Sequence, residues 1–502
     1  MANPDSIATH PFPGRAVFAI SLAALLVHFL TAPRYGYFRD EFYILACGRH
    51  LDWGYVDHAP LVGLIARLTS ITLGTSLYAL RFVTGISAAL KALLTALLAR
   101  ELGGNRFAII LAAFSTLLIP VFLASDNQFS LNTWEPLFWM STLLAILVSL
   151  RTHRPKLLLW AGLFAGVGLE NKHSTLFFLA ALSAALLLSP QRRLLREPYL
   201  YLAAGLAALI FLPNLLWQFS HNFPTLEFLN NVNATHKNIE LPPAKFLLSQ
   251  LMMLNPVNAL LWLPGLYFLL RRRQFRFLGF TYLIFLSILM ALHGKDYYVA
   301  PIYPLLIAAG AVFWSTTPRP FWVPAVLILA AIPVFPVVLP IVPAEQLAPY
   351  MSKLGIAPDK TEVDHNGPLP QIFGDQFGWP ELAAATAQVY ATLPPDEQQR
   401  TAVYTANYGE AGALEFYSSS FKLPGILSAH NTYWYWGRDA SPSTLILINS
   451  ERLIREGHCS SVTEGPNVGH PLAMGYEHFR IRVCHGLKQP LPSLWPKLKH
   501  WS

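Results

Sequence analysis

Residues 79–99 read ALRFVTGISAALKALLTALLA, a stretch with no acid and only two charges, Arg81 and Lys91. About 20 consecutive apolar residues cross the hydrocarbon core of a bilayer, so this stretch predicts a membrane-spanning helix. A lysine inside such a helix is expected to run its stem toward the interface. Arg81, near one end, is the better candidate for holding a phosphate. Further apolar runs fall near 16–33, 107–124, 132–150, 157–170, 174–189, 199–217, 246–270, 277–292, 300–315 and 321–342. Together they predict a polytopic α-helical membrane protein of about eleven transmembrane helices. The first run has no small-residue cleavage site before the aromatics at Tyr35 and reads as a retained anchor, not a signal peptide.

Composition agrees. Of 502 residues, 54% are hydrophobic and 13% charged, against roughly 25% charged in ordinary soluble domains. A soluble enzyme, a disordered scaffold and a collagen-like fibre are excluded. The net charge of +8 does not point to nucleic acid, because residues 1–342 hold 24 Lys/Arg against 13 Asp/Glu while residues 343–502 hold 12 against 15. The basic excess belongs to the apolar part, as cytoplasmic loops produce it. With a cytoplasmic N-terminus, the inner segments collect Arg15, Arg100, Arg106, Arg151, Arg154, Lys156, Arg192, Arg193, Arg196, Arg271, Arg272, Arg273, Arg276 and Arg319. The acids among them are Asp5, Glu101 and Glu197. An odd helix count then puts everything after about residue 343 outside.

That tail differs in kind. TAVYTA (401–406), STLILINS (443–450) and FRIRVC (479–484) read as strands, and WPELAAATAQVYATL (379–393) as an amphipathic helix. The expectation is a transmembrane domain over 1–342 and a small extracytoplasmic α/β domain over 343–502. Cys459 and Cys484 both fall in the tail, where an oxidising compartment permits a disulfide between them. Cys47 is left to pack.

Polar clusters gather at what this topology makes the outer face. The first long loop carries adjacent acids, Asp40 and Glu41, ahead of an amphipathic stretch that holds them at the lipid–water boundary. A carboxylate there can accept a proton from a hydroxyl; acids at a helix start also suit its dipole. The next outer turn holds Asp126, and Glu135 enters the following span, where an acid usually faces a cavity or a partner. GLENKHS (168–174) offers Glu170 beside Lys172 and His173, of which the lysine and the histidine are cationic donors suited to a phosphate. HGKDYYVAPIYP (293–304) adds His293, Lys295, Tyr297 and Tyr298. Sugar transfer from a lipid phosphate fits this inventory. Attack at the anomeric carbon needs a base, and a departing phosphate needs cations, not a proton donor. No nucleotide fingerprint, phosphate loop or HExxH motif is present.

RDEFYILACGRHLDWGYVDHAPLVGLIARL (39–68), LRFVTGISAAL (80–90), NTWEPLFW (132–139), GLENKHS and KDYYVAPIYP (295–304) resemble bacterial glycosyltransferase family 39. These are GT-C membrane enzymes related to protein O-mannosyltransferases and lipid A aminoarabinose transferases. The likeness runs in order over roughly residues 15–320. It implies a GT-C fold in a bacterial inner membrane and a polyprenyl-phosphate sugar donor, with a lipid, glycan or protein acceptor. It also puts the catalytic carboxylate on Asp40 or Glu41. The later part of the first loop departs from the family, with His58 and Ala59 in DHAPL where a polar residue and a proline are usual, and Glu170 stands where leucine is usual. The reading is a base at Asp40 assisted by Glu41. Arg81, Lys172, His173, Lys295 and Tyr298 attend the phosphate, and His58, Asp126 and Glu135 line the site. The chemistry requires no cofactor, although acids at 40, 41 and 126 are candidates to collect a divalent cation. The rival class is a transporter or flippase of lipid-linked sugars, which favours polar sites at the bilayer midplane within repeats; no repeat is visible here. A reporter fused after Ser502 is expected to behave as exported, and cytoplasmic activity of that fusion contradicts the span count.

Overall fold

The computed structural model describes residues 11–318, 320–358 and 366–502; Asp5 and Arg319 of the charge count lie outside them. Helices occupy each stretch expected to span. Among the described residues, Gly14–Thr31, Leu77–Glu101, Leu131–Thr152, Pro198–Ser220 and Asp296–Ser315 are long and apolar enough to cross a membrane. Three further pairs are broken and bent: Arg106–Leu118 with Pro120–Asp126 by 64°, Ser174–Leu187 with Pro190–Arg196 by 109°, and Pro243–Met253 with Pro256–Arg271 by 93°. Length and apolarity therefore give five spans, or eight if each bent pair is one, where hydropathy alone suggests eleven. Each break coincides with a proline, which lacks the N–H that continues a helix.

The chain divides into two compact units, one of Met1–Pro33, Tyr78–Leu216 and Glu240–Ile341, the other of Arg34–Leu77, Trp217–Ile239 and Val342–Ser502. Two long loops between the apolar helices thus fall in the same unit as the tail. Phe42 supplies the reason: it is fully buried in a core formed with Trp379, Leu382, Leu414, Ile446 and Ile481.

In the first unit, small residues let helices meet backbone to backbone, the usual means of tight packing in lipid. Gly265 abuts the Leu306 backbone and Gly310 the Leu261 backbone, so helices Ala259–Arg271 and Tyr303–Ser315 leave no room there for a Cβ. Polar pairs tie other neighbours. Lys91 does not run to the interface as expected; it is 1% exposed and its Nζ lies 2.8 Å from both oxygens of Asp126. Asp126 is the last residue of helix Pro120–Asp126, so the pair joins that helix to Leu77–Glu101.

The second unit holds a five-stranded sheet: β1 Thr401–Thr405, β2 Ile426–Ser428, β3 Thr444–Ile448, β4 Cys459–Val468 and β5 Phe479–Leu487, in the order β2-β1-β3-β5-β4. The first three pair in parallel, and β5 and β4 add antiparallel. Strands alternate their side chains between faces. Val403, Ile446 and Val483 pack under helices Trp379–Thr392 and Tyr408–Phe421, while Tyr404, Leu445 and Leu447 face helix Leu491–Leu498. Cys459 and Cys484 form a disulfide across the β4–β5 pair, with Cα atoms 5.3 Å apart. Cys47 is buried and free.

Breaking a buried ion pair by removing one partner strands the other charge, at a cost of about 3–5 kcal/mol. Lys91→Met and Asp126→Leu are each expected to lower the melting temperature of the detergent-solubilised protein sharply. The double variant Lys91→Met/Asp126→Leu recovers most of that loss. Additive losses in the double variant contradict the pairing.

Candidate active site

The first-loop acids begin helix Arg39–Arg49, and the helix start gives them different surroundings. The Glu41 N–H donates to the Phe38 carbonyl oxygen at 2.9 Å, and the Glu41 carboxylate turns back to accept the Phe38 N–H, also at 2.9 Å. This reciprocal cap uses Glu41, which is fully buried. Asp40, one residue earlier, keeps a side chain 39% exposed, and its Oδ1 accepts the Tyr408 hydroxyl at 2.9 Å. The positive end of the helix dipole favours an anion at both positions. The Arg39 guanidinium lies 5.6 Å above the Tyr408 ring and 5.0 Å above the Tyr476 ring.

One turn along the same helix, the Tyr43 hydroxyl is 2.7 Å from both Asp57 Oδ1 and Thr432 Oγ1. Burial and the Asp57 carboxylate hold that phenol well above its ordinary range, so it stays protonated. His58, expected to line the site, is buried beneath this network: its Nδ1 is 2.9 Å from the Ala59 carbonyl oxygen and its Nε2 is 3.7 Å from Cys47 Sγ. Burial, reinforced by the Asp57 charge, raises the Cys47 thiol well above its usual range, which leaves it inert as a nucleophile.

In the first unit the cluster forms where helices Leu131–Thr152, Leu158–Asn171, Ser174–Leu187 and Asp296–Ile302 come together. Lys172 follows helix Leu158–Asn171 in extended backbone, ahead of helix Ser174–Leu187. Its Nζ is 3.0 Å from Glu135 Oε2, 2.8 Å from Asn132 Oδ1 and 3.9 Å from the centre of the Tyr298 ring. Glu135, 2% exposed, also accepts the Ser174 hydroxyl. His173 Nε2 is 3.0 Å from Asn214 Oδ1. The structure therefore brings Glu135, Lys172 and Tyr298 into contact, with His173 adjacent in the chain. Lys295 immediately precedes the short helix Asp296–Ile302 that carries Tyr298. Arg81 is buried in helix Leu77–Glu101. Asp126 serves Lys91.

Glu41 Oε2 serves the helix start, and both Asp126 oxygens are on Lys91. Among the described residues no three His, Cys, Asp or Glu side chains form a metal-binding group. The residues sequence reasoning missed are Tyr43, Asp57, Tyr408 and Thr432. Asp57 stood beside His58 in DHAPL, and Tyr43 sits three residues after Asp40 on one helix face, but nothing in the tail marks Tyr408 or Thr432.

Residues 57–217 match the dolichyl-phosphate-mannose-protein mannosyltransferase family. No curated protein matches the chain. Among solved structures, ArnT from Cupriavidus metallidurans in the apo state is 12% identical with a TM-score of 0.62, over 94% of this chain and 98% of that one. The same protein bound to undecaprenyl phosphate gives 13% and 0.61 over the same shares. Arabinofuranosyltransferase AftD from Mycobacteria is 14% identical with a TM-score of 0.55, over 96% of this chain and 41% of that one. These likenesses establish the fold, and the family match supplies the sequence relationship. The chain has the GT-C fold of these membrane proteins and is similar, over residues 57–217, to the dolichyl-phosphate-mannose-protein mannosyltransferase family.

Proposed function

We propose that the protein transfers a sugar from a polyprenyl-phosphate donor to a hydroxyl of a lipid, glycan or protein acceptor on the outer face of a bacterial inner membrane. The N-terminus is cytoplasmic and the tail extracytoplasmic. The observation that carries this reading is the division of labour at the start of helix Arg39–Arg49: Glu41 is consumed by the cap, and Asp40 keeps an accessible carboxylate. A solved relative by fold, ArnT, binds undecaprenyl phosphate, which supports a donor of that class.

In this mechanism Asp40 takes the proton of the acceptor hydroxyl as its oxygen bonds to the anomeric carbon. The bond from that carbon to the phosphate oxygen breaks, and the electron pair leaves with the phosphate. The departing charge needs fixed cations. Lys172 is pre-positioned by Asn132 and Glu135, and its contact with the Tyr298 ring is the weakest of its three, hence the one a phosphate oxygen replaces. His173, Lys295 and Arg81 add positive potential in the same unit.

Purified protein incubated with a panel of radiolabelled polyprenyl-phosphate sugars tests the reaction; translocation of the donor across vesicles with no transfer would indicate a flippase. Asp40→Asn keeps the side-chain shape but cannot take a proton, so turnover is expected to fall about 10²–10⁴-fold with undecaprenyl phosphate binding retained. Glu41→Gln preserves an oxygen for the cap and costs less. The reverse ranking moves the base to Glu41, and parental rates in both remove the first loop from catalysis.

A further inference from the structure

Asp40 belongs to the first loop, yet its hydrogen-bond donor comes from the tail. Tyr408 opens helix Tyr408–Phe421 directly after β1. The chain leaves β1 for β2 on one side and leaves β3 for β4 on the other, so the carboxyl ends of β1 and β3 flank a topological switch point, where open α/β sheets place their functional groups.

Tyr408 is held there from several directions. Asn407 Oδ1 accepts the Glu410 N–H at 3.0 Å, and the Glu410 carboxylate accepts the Ala406 N–H at 2.9 Å and Asn449 Nδ2, from just beyond β3, at 2.8 Å. The Tyr408 N–H donates to His430 Nδ1 at 3.2 Å, and its ring packs on His430 at 5.1 Å and on Tyr43 at 4.7 Å. The helix itself is pressed against Arg39–Arg49: a Cβ on Gly412 would come within 2.9 Å of the Phe42 and Tyr43 backbone. Only a residue without a side chain permits that approach, and the approach is what delivers the Tyr408 hydroxyl to Asp40.

We propose that Tyr408 is a positioning residue for the base, so that the tail domain completes the catalytic apparatus. This rests on the assignment of Asp40 as base. The phenolic O–H donates to Oδ1 and fixes the carboxylate plane, leaving Oδ2 to receive the proton of the acceptor hydroxyl. The tyrosine keeps its own proton throughout.

The full chain is tested with Tyr408→Phe, Tyr408→Ala, Asp40→Asn and the double variant Tyr408→Phe/Asp40→Asn, using the polyprenyl-phosphate sugar that the parent transfers. Phenylalanine keeps the ring between its neighbours and removes only the hydroxyl. A hydrogen bond to a charged group corresponds to about 10–100-fold in rate. Tyr408→Phe is expected to lower kcat by that factor, with the donor KM and the melting temperature unchanged. In the Asp40→Asn background it has no further effect. A transfer-independent readout accompanies this: labelling of Asp40 by a water-soluble carbodiimide, followed by mass spectrometry, is expected to speed several-fold in Tyr408→Phe, as Oδ1 loses the phenolic hydrogen bond and keeps Arg39 Nε at 3.6 Å. Parental kcat and labelling in Tyr408→Phe, with loss only in Tyr408→Ala, reduce Tyr408 to packing and overturn the proposal. An equal loss in both backgrounds also overturns it, because the residue then does not act through Asp40. If Asp40→Asn itself transfers at the parental rate, the base assignment fails and this proposal falls with it.

Discussion

A charge placed in hydrocarbon has to be neutralised by the protein itself, since no water is there to do it. Lys91 and Asp126 meet that requirement with two 2.8 Å contacts, and partly exposed ion pairs at the helix ends add further ties. Arg151 Nε binds Glu101 Oε2 at 2.6 Å, tying Leu131–Thr152 to Leu77–Glu101. Lys172 binds Glu135, tying the turn after Leu158–Asn171 to Leu131–Thr152. Each pair fixes the register of two helices, because sliding one past the other by a turn leaves two bare charges. Apolar packing alone is less particular, as lipid tails solvate leucine about as well as a neighbouring helix does. The position of Lys172, and with it the cationic cluster near Tyr298, therefore depends on these pairs.

The second unit is organised by a different constraint. Its sheet is buried on both faces, and one of the side chains that covers it, Phe42, is borrowed from the first loop. Insertion of Phe42 sets the rotation of helix Arg39–Arg49. Glu41 is then turned inward to cap its own helix, and Asp40 is left facing the Tyr408 hydroxyl. The chemical difference between two adjacent acids is thus a consequence of where one aromatic ring is buried.

The spans were legible because hydropathy over twenty residues is a local property. The breaks at Pro120, Pro190 and Pro256 lie within or beside continuous apolar runs, so hydropathy alone passes over them. Strands β1, β3 and β5 declared themselves by β-branched and aromatic runs. β4 did not: CSSVTEGPNV is a largely exposed edge strand with a proline inside it, held by backbone pairing to β5, and β2 has only three residues. Asp40 and Glu41 stood out as adjacent acids in an aromatic loop, and Lys172 as a cation in an apolar hairpin. Their partners did not stand out. Asp126 is 35 residues from Lys91 and Tyr408 is 368 from Asp40, separations at which no periodicity survives. The reading of Lys91 as a lysine reaching for the interface fails for that reason: its partner is distant in sequence and adjacent in space.

The discontinuity of the second unit sets an order of events in biogenesis. Its pieces come from Arg34–Leu77, Trp217–Ile239 and Val342–Ser502, and β5, which lies between β3 and β4, is the last strand made. A ribosome that has finished every membrane helix has still not supplied the strand that completes the sheet. The first loop must wait, with Phe42 uncovered, for most of the synthesis time. The neighbourhood of Asp40 is consequently a late product of translation, and a chain truncated anywhere before β5 carries the acids of the first loop without the sheet that orients them.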